Sequence, residues 1–158
     1  MTLVFRDAVP GDAGLVHEFV HHLAAFERLT DEVEATVQDF DLALFGPVAR
    51  CHAMFAEIDG VTVGFALWFY NFSTFQGRHG LYVEDVFVLP AHRGHGIGRA
   101  LFQEMARRAV AQGCGRMQWS VLNWNSKAIS FYAGLGARPL QEWTIQRLSG
   151  DALAELAQ

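Results

Sequence analysis

The chain is expected to fold as an α+β protein, with one mixed β-sheet and helices on both of its faces. Three observations lead there. Short apolar runs bounded by turn signals such as Pro10-Gly11 and Asp59-Gly60 alternate with stretches of helical spacing. Some of these runs are joined by a tight turn, others are separated by a helix. One of them, Leu81–Leu89, is apolar enough for a central strand buried on both faces.

The elements follow in order. Leu3–Arg6 reads as a first strand ended by Pro10-Gly11, and Asp12 can cap a helix to about Arg28, with Leu15, Phe19, Leu23 and Phe26 on one face. A shorter helix around Thr36–Leu44 closes at Gly46-Pro47. Strands near Cys51–Ile58 and Val61–Asn71 meet at the Asp59-Gly60 hairpin turn, and Trp68, Phe69 and Tyr70 read as strand core. Phe72–His79 is expected to be a polar, flexible connection before the central strand. Ile97, Leu101, Phe102, Met105, Ala109 and Val110 then recur at helical spacing up to Gly113. A strand over Arg116–Leu122 follows, then a helix capped by Asn123 or Asn125 that runs through Tyr132 and stops at Gly134-Leu135-Gly136. A last strand pair is expected over Ala137–Leu148, and a turn or two of helix over Asp151–Gln158. No repeat, linker or low-complexity stretch interrupts the 158 residues, so 1–158 is expected to be a single domain.

Composition narrows the function classes. A net charge of −5 argues against a nucleic-acid binder, and no apolar run reaches membrane-spanning length. No charged-then-apolar leader precedes a small-residue site, so a cytoplasmic protein is expected. Cys51 and Cys114 lack paired spacing and read as reduced thiols. His17 and His21 stand at i, i+4 with no third ligand, so they read as solvated helix-face histidines, and no metal is expected. The charge is unevenly spread. Residues 1–50 hold nine acids against three arginines, whereas residues 93–116 hold five arginines and one acid. Such an arrangement suits a cationic substrate meeting an anionic one, and equally an ordinary solvated surface.

The most informative stretch is VEDVFVLPAHRGHGIGRA, Val83 to Ala100. An apolar strand (Val86, Phe87, Val88) leads through Pro90 into Arg93-Gly94-His95-Gly96-Ile97-Gly98 and then a helix. Glycines there let a backbone approach a ligand and aim N–H groups at it, and the helix N-terminus adds about 0.3–1 kcal/mol for an anion. A dinucleotide fingerprint fails, because Arg99 stands where its last glycine belongs, and a phosphate-binding loop of the Walker type fails for want of a lysine. What fits is Arg-x-x-Gly-x-Gly at Arg93, Gly96 and Gly98.

That spacing resembles the signature of the GCN5-related N-acetyltransferases. LYVEDVFV, RGHGIG and QWSVLNWNSKAISFYAGLGA, with TVGFALWFY upstream, follow in the right order over roughly residues 4–148 and together resemble the branch that contains spermidine/spermine (diamine) and thialysine acetyltransferases. The resemblance implies the GNAT fold, acetyl-CoA as cosubstrate, a small primary amine as acceptor, direct attack in a ternary complex, and a homodimer. It implies that backbone of Val86, Phe87 and Val88 pairs with pantetheine amides, and that Arg93 with the amides of Gly94, His95, Gly96, Ile97, Gly98 and Arg99 holds the pyrophosphate. Asn125, with Ser126, Lys127 and Ala128 beside it, is placed by the likeness at the cofactor, and Tyr132 as the acid that protonates the departing thiolate.

An ammonium with a pKa near 10 must lose a proton before it can attack, and a carboxylate can accept it. Glu84 is the expected base, and a regular strand would turn Asp85 to the other face unless a bulge brings it to the substrate. On the substrate side the likeness adds Phe26, Glu27, Gln118, Trp119, Ser120 and Glu142. The polyamine enzymes carry an acid and a tryptophan in the loop after TVGFALWFY, where this chain has Ser73 and Phe75, followed by Arg78 and His79. That departure points away from polyamines, toward a small mono- or diamine or an amino acid with a side-chain amine. The alternatives are acetylation of a protein N-terminus or lysine, and a CoA-binding module without catalysis.

Overall fold

The computed structural model describes residues 1–158, which divide into two compact units, Met1–Leu122 and Asn123–Gln158. The first contains a five-stranded sheet in the order β1 (Leu3–Asp7), β2 (His52–Ile58), β3 (Val61–Ser73), β4 (Arg78–Val88), β5 (Met117–Gln118). Neighbours are antiparallel except for the parallel β4–β5 pair, so the sheet is mixed as expected. Three helices accompany it: α1 (Ala13–Glu27), α2 (Val37–Phe45) and α3 (Ile97–Ala111), with single 3-10 turns at Thr30–Glu32 and Pro90–His92.

Strand alternation decides which helix covers which face. Phe55, Phe65, Leu67 and Phe87 point to one side and form a buried cluster with Val16 and Phe19 of α1 and Leu44 of α2. On the other side, a Cβ on Gly64 would meet Leu101 of α3 at 3.5 Å, and Arg108 of α3 lies 5.4 Å over the Trp68 ring. Leu101 and Met105 are fully buried there. No helix is long and apolar enough to cross a membrane.

Local chemistry explains most boundaries. Thr36 caps α2 with a full capping box, its hydroxyl accepting from Asp39 N–H while Asp39 accepts from Thr36 N–H. Asp12 does not cap α1 with its side chain. That carboxylate accepts from Arg6 at 2.7 Å and from Val9 N–H at 2.8 Å, so a partner from β1 outcompetes the helix. The expected α1 face packs on the core through Phe19, Leu15 and Leu23, joined by buried Val16, while Phe26 at its end is half-exposed. Val110, expected on the buried face of α3, is 78 % exposed, since Ala109 already takes the inward position.

Three sequence expectations are corrected. Phe72–His79 is not a flexible connection. The β3–β4 ladder continues through Phe72↔His79 to Ser73↔Arg78, and only the turn between them is left as loop. Buried Ser73 builds that turn, accepting Gln76 N–H on its hydroxyl and Gly77 N–H on its carbonyl. Secondly, the strand expected over Arg116–Leu122 shrinks to Met117–Gln118, because β4 bulges just beyond the last paired residue and leaves β5 without a ladder to follow.

Thirdly, no strand pair forms over Ala137–Leu148. The second unit contains only α4 (Ser126–Gly134) and α5 (Gly150–Leu156), and none of its residues is fully buried. A strand needs a partner edge, and that unit offers none, so the backbone turns locally with Trp143 N–H on the Leu140 carbonyl.

Candidate functional site

The register of β4 shows where the chain opens. Against β3 it pairs from Arg78 to Val88, but against β5 only at Leu81↔Met117 and Tyr82↔Gln118. From Val83 onward the β5-side edge has no partner strand. Its backbone is therefore free to pair with an extended, amide-bearing ligand. The expected pantetheine segment, Val86, Phe87 and Val88, lies on this open edge, with Phe87 buried from the α1 side. One of its carbonyls is taken: Arg93 Nε donates to the Val88 oxygen at 2.9 Å.

The bulge falls on the acidic pair. Leu67 faces Asp85 and Trp68 faces Val83, so Glu84 is the extra, exposed residue of β4. Asp85 shares the face of Phe87, half-buried. Burial, then the Glu84 and Glu27 carboxylates, push its pKa up to about 7. Glu27, the last residue of α1, is itself raised by burial. Cys51 lies on the other flank, its thiol raised by burial and by Asp85, which makes a nucleophilic thiolate disfavoured. Asp85 thus stands on the open strand edge within electrostatic reach of the Glu84 and Glu27 carboxylates.

Beyond β4, Gly94 and Gly96 adopt left-handed φ of +82° and +79°, and a Cβ at either would meet nothing within 4 Å. The turn is thus glycine-dependent for its conformation, with open space in front of it. α3 begins at Ile97 after Gly96 with no side-chain cap, so its first-turn N–H groups stay available to an anion. Gly98 lies in that first turn, Ile97 is buried, His95 is exposed with Nδ1 3.3 Å from the His92 carbonyl, and Arg99 is exposed. These features suit a diphosphate with an extended amide arm, the anionic part of a coenzyme A thioester.

The remaining positions divide by unit. In the first, Phe26 packs on Phe87, Gln118 accepts from Asn71 Nδ2 at 3.3 Å, Trp119 packs on Phe102, and Ser120 shares a 2.9 Å hydrogen bond with the Tyr82 hydroxyl. Tyr82 was not singled out from sequence; its place two residues before Glu84 on the same strand was the available signal. Ser73 is buried within its turn and Phe75 wholly exposed.

In the second unit, Asn125 is the N-cap of α4, its side-chain oxygen accepting Ala128 N–H at 3.2 Å. Ser126 and Lys127 are exposed in the first turn, Tyr132 is half-buried in the last, and Glu142 pairs with Arg138 at 3.8 Å. No three His, Cys, Asp or Glu side chains gather to hold a metal. A cavity of about 210 Å³ lined by Asp7, Cys51, His52, Trp68 and Arg108 contains none of the expected site residues, and its Arg108 and Asp7 are already paired at 2.7 Å.

Comparison with known proteins agrees in kind. Residues 17–137 match the family model described as the acetyltransferase (GNAT) family. The chain is 34% identical over 166 residues to a thialysine N-epsilon-acetyltransferase of Bos taurus, covering 98% of this chain and 97% of that one. It is 31% identical over 193 residues to an L-ornithine N5-acetyltransferase of Arabidopsis thaliana, covering 94% and 85%. An integron cassette protein of V. cholerae superposes over 100% of this chain and 99% of its own, with a TM-score of 0.82 at 25% identity.

Proposed function

This chain belongs to the GNAT family and is an N-acetyltransferase, and we propose that it moves the acetyl group of acetyl-CoA to a primary amine on a small diamine or an amino acid with a side-chain amine. The observation that carries the acceptor class is the meeting of Glu27, Glu84 and Asp85 at the open end of β4, which suits an ammonium better than a neutral or anionic acceptor. The named relatives that act on thialysine and ornithine support it.

In this reading the whole of 1–158 works as one acetyltransferase domain. Glu84, exposed at the bulge, takes the proton of the ammonium directly or through a water, a step typically worth about 10²–10⁴-fold. Asp85 and Glu27 hold the cationic end of the acceptor, and Phe26 bounds it. The β4 edge and the glycine turn orient the thioester, so that proximity supplies most of the acceleration. Tyr132 is placed by the family resemblance as the acid for the departing thiolate. Asn125 fixes the start of α4 by accepting Ala128 N–H on its side-chain oxygen. The working form is a homodimer, as the family resemblance implies.

The test is thiol release from acetyl-CoA across thialysine, ornithine, lysine, putrescine, spermidine and a lysine peptide. Saturable turnover is expected on a small amine, with spermidine a poorer acceptor than an amino-acid amine, since exposed Arg78 stands close to the turn where the polyamine enzymes carry acid. Turnover on the peptide alone would overturn the small-molecule assignment.

A further inference from the structure

The arginine of the glycine turn is engaged in a way that phosphate binding does not account for. Arg93 is half-buried. Its Nε donates to the Val88 carbonyl at 2.9 Å, and its Cζ lies 4.6 Å from the Phe26 ring centre and 4.9 Å from that of Phe87. Phe26 and Phe87 also pack on each other at 6.2 Å. The guanidinium therefore joins three elements: the turn that starts at Gly94, the open edge of β4, and the last turn of α1. The residue after Phe26 is Glu27, whose charge Asp85 senses.

We propose that Arg93 is a positioning residue for the acceptor amine, clamping Phe26 to Phe87 and to the Val88 backbone so that Glu27 is held beside Asp85. The clamp depends on the acetyl-transfer reading only for its kinetic consequence. A flat guanidinium over two rings with a directed Nε–H cannot be replaced by the point charge of lysine, whereas a purely electrostatic phosphate contact can. A phosphate contact would also be indifferent to Phe26.

The experiment compares Arg93→Lys, Phe26→Leu and the double variant of the full chain, in steady-state kinetics against both substrates and in amide hydrogen exchange over residues 24–29. Each single variant is expected to raise KM for the amine about tenfold with kcat changed by less than about threefold, and Phe26→Leu to leave KM for acetyl-CoA within about threefold. The double variant should be about as impaired as either single one, because both break the same clamp. Exchange over residues 24–29 should speed up in all three. A rise mainly in KM for acetyl-CoA with Phe26→Leu silent, or effects that multiply in the double variant, would overturn the proposal. Were the wild-type protein to acetylate no amine, the acetyl-transfer reading would fail separately. Unchanged exchange in Arg93→Lys and Phe26→Leu would then still overturn the clamp.

Discussion

A carboxylate that burial and two neighbouring carboxylates hold near a pKa of about 7 ties the stability of the protein to pH, and Asp85 is in that position. The folded state keeps the proton up to about pH 7, while the unfolded chain releases it near pH 4, so between these values the folded state binds more protons. Stability from this group is therefore present below the unfolded pKa and lost as pH rises through the folded one. Asp85→Asn removes the charge, and should raise the unfolding free energy at pH 8 by on the order of 2–4 kcal/mol, a gain that vanishes below about pH 4. Urea unfolding at the two pH values checks it, and an equal gain at both would refute the linkage. Glu84 is exposed on the bulge. Glu84→Gln should lower kcat about 10²–10³-fold while leaving the fold intact, measured by thiol release beside circular dichroism. The adjacency of these two acids was legible in the sequence. Their unequal environments were not, because only the skipped register opposite Leu67 and Trp68 sets one outward and the other against α1.

Elements whose signals are local were the ones the sequence could announce. The helix start at Thr36, the Asp59-Gly60 turn and the glycine stop after α3 each depend on a few neighbouring residues, and each formed where expected. Elements that depend on a partner elsewhere were misjudged. The outer end of the β3–β4 hairpin looked like loop because its side chains are polar or exposed, yet the ladder across it and Ser73 hold it extended. The alternation over Ala137–Leu148 looked like strand, yet no edge in its unit receives it. The glycine turn is an element of the first kind, and its conformation can be tested. Gly96→Ala at φ +79° meets no neighbouring atom, so its cost is backbone strain alone, about 1–2 kcal/mol. The expected result is a melting temperature lowered by several degrees together with a raised KM for acetyl-CoA. Gly60→Ala, at φ +82° in a hairpin, should lower the melting temperature similarly and leave KM unchanged. A KM effect from both variants would mean that general destabilisation accounts for it.

At the scale of the molecule, the uneven spread of charge is less polar than the residue counts suggest. Arg107 and Arg108 are both tied to Glu104, and Arg108 to Asp7 as well, which removes two arginines from the basic stretch and one acid from the acidic one. Arg6 likewise engages Asp12 and Glu57. Arg93 is occupied by Val88 and two rings. Near the open edge of β4 the acidic group of Glu27, Glu84 and Asp85 stands with the Arg93 guanidinium, whose neutral partners leave its charge in place. The field felt by an approaching amine should therefore come from these few charges at short range, not from a long-range dipole of the whole chain. Salt distinguishes the two, because exposed charges separated by more than about 10 Å are screened at 0.1 M ionic strength while close, partly buried pairs persist. With short-range control, raising sodium chloride from about 0.05 to 0.5 M should increase KM for a dicationic amine by only about two- to fivefold, and less for a monocation. Long-range steering would instead appear as a steep, order-of-magnitude decline in kcat/KM that begins well below 0.1 M. Steady-state kinetics at constant pH, with chloride varied and the amine charge matched in pairs, separates these outcomes.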